Sequence, residues 1–245
     1  MLRGGADSVE KLIHYCWFGR GEKPQLVKKC LETWTKFCPD YRIIEWNEDN
    51  FDIHSCRFVE QAYSDRNFAF VSDYVRAYVL YEQGGIYMDT DVELLKSLDA
   101  FLNDTVFFGF EEGNFVGTCV MGIEKGHELM KMYLDHYNSS VYFNEDGTKY
   151  KDTNVVLLTK LLEKKGLVRD GEKQTVGDIT VYPRTFFSPY DYINGINYIT
   201  EDSAAIHHFA QLWLPKKVRI KTEIKKKIVK IIGGENLKKL RELKK

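Results

Sequence analysis

The sequence predicts an α/β fold, and three observations carry that expectation. The chain opens in the order strand, helix, strand, which is the start of a nucleotide-binding α/β unit. Strand-like and helical runs then alternate through most of the remainder. Third, Gly84-Gly85 stops a long apolar helix, and Ile86-Tyr87-Met88 follows as a short buried strand that runs out at Asp89 and Asp91. In open α/β sheets, ligands bind at the carboxyl ends of strands, so this stretch is the expected centre of the site.

Taken in order, Leu12–Phe18 reads as the first strand, closed by Gly19-Arg20-Gly21. Pro24 suits the first turn of a helix, and Val27, Cys30, Leu31 and Trp34 recur at helical spacing. Pro39-Asp40 breaks that helix, and Tyr41–Trp46 is the second strand. A short helix is expected over Arg57–Tyr63 and a buried one over Phe68–Tyr81, since its residues are apolar nearly all round. The glycines after it accept the left-handed conformation of a helix stop. Thr105–Phe110 and Thr118–Ile123 are expected strands, and Gly126–Tyr137 and Asn154–Lys165 expected helices, with Gly166 as a cap. Phe143–Asp152 reads as a polar loop, Ile179–Tyr182 as a strand, Pro183–Asn197 as an aromatic loop and Ser203–Phe209 as a late strand.

At 245 residues the chain fits one large domain with a small appendage. No run of 18 apolar residues offers a transmembrane helix, and the N-terminus lacks the apolar core of a signal peptide. Residues 1–10 are left out of the fold as a disordered tail or expression remnant, 11–215 form the expected catalytic domain, and 216–245 a basic tail. Five scattered cysteines without a Cys-x-x-Cys pair argue for reduced thiols and a cytosolic setting. The net charge of −1 hides a polarity: residues 216–245 hold 13 basic and 3 acidic side chains, so the rest of the chain is strongly acidic. Ile220, Ile224, Ile228 and Ile231 make one helical stripe among these lysines. A basic amphipathic helix of this kind can lie on an anionic membrane, or dock on the body. A membrane partner is expected for it, and no nucleic acid.

Asp89 and Asp91 offer two hard carboxylates one residue apart, a pattern that favours Mg²⁺ or Mn²⁺ and that also occurs in solvated turns. Strand alternation would put both on one face. Asp73 and Arg76 are the only charges inside the buried helix, and three residues apart they share a face. Buried charges must be paired or put to use, so they make either a structural ion pair or a ligand wall.

Together these motifs resemble family 32 of the glycosyltransferases, which carry a sugar-binding region containing the DXD motif, include capsular and surface-polysaccharide transferases, and are related to the large glucosylating toxins. The resemblance rests on Ile13-His14-Tyr15-Cys16-Trp17-Phe18-Gly19, on Ser72–Arg76 running into Leu80–Asp91, and on His207-His208 ahead of Trp213. It implies a GT-A fold, a Rossmann-like sheet binding a nucleotide-sugar through a divalent metal, with retention at the anomeric carbon. It also implies roles. Trp17 would stack on the nucleobase, Asp73 and Arg76 would bind donor sugar and phosphate, and Tyr87 would contact sugar or nucleotide unless it is core. Asp89 would face ribose and metal-bound water, Asp91 would ligate the metal, and His208 or His207 would be a third ligand. Trp213 would sit on a lid closing over the diphosphate, although Leu212 stands where the family usually has serine. Glu111 and Asn154 are the acceptor-side candidates, each also readable as a surface residue or cap.

The expected protein is therefore a metal-dependent retaining hexosyltransferase that uses Mn²⁺ or Mg²⁺ and moves a sugar from a nucleotide-sugar, a UDP-hexose, to a glycan or lipid-linked glycan acceptor. Its expected place is the cytoplasmic face of the plasma membrane, in surface polysaccharide synthesis. Two other readings stand beside it. Asp89-Thr90-Asp91-Val92 fits the first motif of haloacid-dehalogenase-type phosphohydrolases, although that motif normally follows the first strand. A non-catalytic, membrane-docked binder of nucleotide-sugar or glycan is the other.

Overall fold

The computed structural model describes residues 8–211. Trp213, Leu212 and the 216–245 tail lie outside the described residues. The strands are β1 (Leu12–Cys16), β2 (Arg42–Trp46), β3 (Gly85–Met88), β4 (Val92–Leu94), β5 (Val106–Gly109), β6 (Val120–Ile123), β7 (Gln174–Val176), β8 (Ile179–Tyr182), β9 (Tyr190–Asp191), β10 (Ile196–Asn197) and β11 (Ala205–His207). The helices are α1 (Gln25–Phe37), α2 (Arg57–Ser64), α3 (Phe68–Gln83), α4 (Glu128–Asn138), α5 (Asn154–Glu163) and the single turn α6 (Arg184–Phe187).

Seven strands form one mixed sheet in the order β2-β1-β3-β6-β5-β8-β7. β1 runs parallel to β2 and β3, whereas β6 runs antiparallel to both of its neighbours, β3 and β5. β6 is reversed because the connection from β5 is short and folds back on itself, with a bridge between Phe110 and Val116; a parallel return needs a crossover of a dozen residues or more. β4 leaves the main sheet and pairs with β11 instead.

Helices cover both faces. Strand residues alternate between two apolar clusters, as the pleat requires. Cys16, Tyr87, Val106 and Phe108 join α2, α3, α4 and α5 on one side. Tyr15, Ile86, Met88 and Phe107 face Trp34 of α1, Phe101 and Phe187 on the other. β3, buried throughout, is apolar on both faces for this reason.

The long helix α3 ends at Gly84, whose N–H donates to the Leu80 carbonyl at 2.9 Å. Gly84 and Gly85 have φ of +70° and +94°, and a Cβ on Gly85 would lie 2.8 Å from the Leu12 carbonyl oxygen. Only glycine passes both tests, and the chain turns there directly from helix into the sheet centre. His14 locks the turn. Its Nδ1 accepts from Trp46 Nε1 at 3.1 Å, so Nε2 is the protonated nitrogen and donates to the Gly84 carbonyl at 2.9 Å. Burial lowers the His14 pKa to about 4, which keeps the ring in that neutral form.

The element boundaries differ from the expected ones mostly at strand ends. The first strand stops at Cys16, the last spans only Ala205–His207, and Pro183–Asn197 is not all loop but carries α6, β9 and β10. β4 and β7 escaped the sequence reading because each has three residues, too few for a period to show.

A Cβ at Gly122 would sit 1.9 Å from the Phe107 ring. Gly122→Ala should therefore destabilise the fold by about 1–3 kcal/mol through overpacking, read as a fall in the denaturant midpoint at unchanged m-value.

Candidate active site at the carboxyl end of the sheet

α3 brings two charges into the interior. Asp73 and Arg76 are 7% and 4% exposed. The Arg76 guanidinium donates from Nη1 to the Thr118 carbonyl at 2.9 Å and from Nε to the Ser72 carbonyl at 3.3 Å. Its Nη2 lies 3.1 Å from Asp73 Oδ1 and 3.3 Å from Asp89 Oδ1. Tyr87 lies beneath it, with the guanidinium carbon 4.5 Å from the ring centre. Asp73 and Arg76 thus form an ion pair in this structure. The fork expected to bind phosphate is consumed by protein partners, and what it does is hold two carboxylates apart and in place. Tyr87, 2% exposed, serves as the floor of that ion network, so it is core and offers no face to a sugar.

Asp73 keeps one oxygen for other use. Oδ1 accepts from Asn154 Nδ2 at 2.6 Å and faces Arg76; no described residue donates to Oδ2. Burial raises its pKa to about 7, with the Asp89 charge adding to it and Arg76 opposing. Asn154, expected on the acceptor side, instead buttresses Asp73. It stands at the first position of α5 because Thr153, not Asn154, caps that helix.

β3 ends at Met88, so the two carboxylates do not converge by strand alternation as expected. Asp89 extends the ladder by one bond, from its N–H to the Cys119 carbonyl at 2.9 Å, and Val92 N–H then closes a tight turn onto the Asp89 carbonyl at 3.0 Å. The turn folds Asp91 back towards Asp89. β4 follows at once, and its pairing with β11 sets His207 opposite Val92. One ligand atom from each of Asp89, Asp91 and His207 then lies within 4.8 Å of the others.

The two histidines separate here. His207 Nε2 is 3.4 Å from Asp91 Oδ1, and its buried Nδ1 has no hydrogen-bond partner among the described residues. His208, the first of the two named as a metal ligand, points the other way and meets Glu93 Oε2 at 2.9 Å, which Lys29 also approaches at 3.1 Å. Successive strand side chains face opposite sides, so the backbone could deliver only one of them. Burial works against ionisation of Asp91, but the His207 ring and the Ala210 N–H, 2.7 Å from Oδ2, outweigh it and hold the carboxyl down at about 2.

Trp17 stands one residue past β1, at the same end of the sheet, half-buried, with Nε1 bonded to the Gly21 carbonyl at 2.7 Å and Lys23 Nζ 5.6 Å from its ring. A cleft of about 440 Å³ opens beside this loop, lined by Gly19, Ile53, Tyr63, Arg66 and Phe68 among others. Glu111 follows β5. Burial raises its pKa to about 7, with His207 opposing the shift and Asp89 adding to it. Sequence reading missed the residues that complete this side: Phe209, whose ring centre is 3.9 Å from that of His207, and Tyr192, stacked on Phe209 at 4.4 Å. Their signal was the aromatic run around Tyr190–Tyr198 and the residue after the histidine pair.

The site therefore combines an Asp-x-Asp pair at the end of a central strand, an ion-paired helix before it and a histidine after it. Residues 24–108 match the family described as "Glycosyltransferase sugar-binding region containing DXD motif", and the chain carries that region. It is 27% identical over 127 residues to inositol phosphoceramide mannosyltransferase 3 of Schizosaccharomyces pombe, covering 50% of this chain and 35% of that protein. It is 27% identical over 124 residues to human lactosylceramide 4-alpha-galactosyltransferase, covering 49% of this chain and 32% of that protein. The matched stretch thus spans about a third of each curated relative. Among solved structures, the PaToxG glycosyltransferase is similar at 18% identity and a TM-score of 0.49, over 64% of this chain and 70% of that one.

Arg76→Met should cost about 3–5 kcal/mol in chemical denaturation, because Asp73 and Asp89 are left buried or half-buried without their cation. Asp91 has a folded pKa of about 2 against an ordinary 3.8, so its stabilisation is fully present above about pH 4 and is lost as pH falls through its folded value. Asp91→Asn should flatten that acid limb of the stability curve.

Proposed function

We propose that the protein is a metal-dependent, retaining glycosyltransferase that moves a hexose from a nucleotide-sugar, a UDP-sugar by preference, to a glycan or lipid-linked glycan. The observation that carries this reading is the meeting of Asp89, Asp91 and His207 ligand atoms within 4.8 Å, beside the Asp73–Arg76 pair. The donor set fits a divalent ion. It supplies two carboxylates and an imidazole whose Nε2 lies 3.4 Å from Asp91 Oδ1. A nitrogen among the oxygens favours Mn²⁺ over Mg²⁺, which prefers oxygen ligands and retained waters.

Asp91 and His207 would hold the ion directly, with Asp89 at its side, kept in position by Arg76. A bound divalent ion would neutralise the charge that develops on the diphosphate leaving group. Asp73 would accept a hydrogen bond from a donor-sugar hydroxyl through its free Oδ2, and Trp17 would stack on the base. In the retaining step the acceptor oxygen bonds to the anomeric carbon as the bond to the diphosphate breaks, and the acceptor proton passes to the departing phosphate oxygen.

The acceptor class is supported by the relatives' names, since both act on ceramide-bearing acceptors, and by the basic amphipathic pattern of residues 216–245. Among the described residues no helix is long and apolar enough to cross a membrane. We place the enzyme at the cytoplasmic face of the plasma membrane, in surface-polysaccharide synthesis.

The test is nucleotide-sugar turnover with and without Mn²⁺. Asp91→Ala and His207→Ala should each lower turnover by about 100-fold or more, while His208→Ala should stay within about 3-fold of wild type. Full activity of Asp91→Ala would sink the metal role. Binding of donors without any turnover would favour the non-catalytic binder, and release of phosphate from simple monoesters the phosphohydrolase.

A further inference from the structure

The backbone does something costly at residues 208–211. Phe209 and Gln211 have φ of +48° and +51°, a left-handed conformation that side-chain-bearing residues adopt rarely and aromatic ones least. Two bonds to a single residue hold it there: His208 N–H to the Asp91 carbonyl at 3.0 Å and Ala210 N–H to Asp91 Oδ2 at 2.7 Å. The result is that the Phe209 ring lies against His207, tilted by 34°, with Tyr192 stacked on it at 29°. An aromatic column therefore rises from the candidate metal ligand, and half-buried Tyr192 ends it.

Glu111 lies within electrostatic reach of Tyr192 and His207. It comes off β5, and its loop is pinned on both flanks. Glu112 pairs with Arg184 at 2.7 Å, and Arg169 donates to the Gly113 and Asn114 carbonyls while lying 3.7 Å over the Phe115 ring. Behind Glu111 is Gly117, where an added Cβ would come within 3.0 Å of Oε2. The carboxylate is thus backed by a glycine and framed by fixed neighbours. No described residue donates a hydrogen bond to it. The segment behind the carboxylate runs on from Gly117 to Thr118 and Cys119, whose carbonyls bond Arg76 and the Asp89 N–H, so Glu111 stands at the edge of the candidate site.

We infer that Glu111, Tyr192 and Phe209 form the acceptor subsite, taking a neutral pyranose whose apolar C–H face lies on the Tyr192 ring and whose attacking hydroxyl donates to Glu111. This rests on the glycosyl-transfer reading above. A carboxylate without a donor accepts from a hydroxyl, and an aromatic face fits the apolar side of a sugar ring. Placed next to Asp89 and His207, the hydrogen bond aims the acceptor oxygen at the anomeric carbon; Glu111 itself neither gains nor loses a proton in the step.

The test uses the full chain with Mn²⁺ and three donors, UDP-glucose, UDP-galactose and GDP-mannose, scored for donor binding by thermal shift and calorimetry and for donor hydrolysis. Octyl β-D-galactopyranoside is the sugar acceptor for transfer. Glu111→Gln should bind donor within about 2-fold of wild type and lose about 10-fold or more in hydrolysis and in transfer, because a neutral amide oxygen is a much weaker acceptor than a carboxylate and its NH2 competes for the hydroxyl oxygen. Tyr192→Ala should leave hydrolysis intact and raise the acceptor KM about 5-fold or more, since water needs no stacking face. Gly117→Ala, which crowds the carboxylate without removing it, should behave as Glu111→Gln does. Wild-type hydrolysis by Glu111→Gln overturns the subsite, as does donor affinity that falls in step with turnover. Hydrolysis needs no sugar acceptor, so it decides the matter even where the galactoside is not accepted. A wild type that binds none of the donors with Mn²⁺ fails the glycosyl-transfer reading itself, a result separate from failure of the subsite.

Discussion

A single buried guanidinium ties the site to the fold. Arg76 reaches two carboxylates, two backbone carbonyls and one aromatic ring from the middle of a largely buried helix. A charge that deep is tolerable only with this many partners. Because the partners come from α3, from β3 and its following turn, and from the segment before β6, Arg76 also fixes those elements relative to one another. Asp89 is therefore placed by a helix one element upstream as much as by its own strand.

The same economy appears at the other end of α3. Gly84 and Gly85 let the helix turn into β3 without a connecting loop, and His14 closes that corner from the neighbouring strand. The pay-off of a short corner is registration. β3 enters the sheet at a position set by the helix, and the Asp89–Asp91 turn leaves it at a position set by the sheet. β4 then departs to pair with β11, which is what draws a residue 116 positions later in the chain than Asp91 to within 3.4 Å of it.

Much of this was legible from the residues. Binary pattern located the strands that build the sheet centre, since β3 is apolar throughout and β1 is apolar but for His14, and the Gly-Gly stop marked the corner. Asp73, Arg76, Asp89 and Asp91 stood out as charges or paired carboxylates in apolar surroundings. What each does was another matter. Arg76 reads as a phosphate fork in sequence, yet its donors are used up by Thr118, Ser72, Asp73 and Asp89. Asn154 reads as a cap or an acceptor contact, yet it supports Asp73. Tyr87 was readable as ligand contact or core, and only its place beneath Arg76 decides for core. The choice between His207 and His208 could not be made from a two-residue repeat without knowing the register of β11 on β4.

By itself, the sequence determined the class of fold, the order of its central elements and the chemistry available at the end of β3, because these follow from local periodicity and residue type. Tertiary structure decided which of those residues face one another. Three-residue strands, the antiparallel reversal of β6, and the column of Tyr192, Phe209 and His207 all depend on pairings across long stretches of chain, and no local pattern encodes them. Partner choice for a buried charge is likewise a tertiary matter: Arg76 carries the same five donors in any context, and only the packed interior settles whether they face a ligand or the protein.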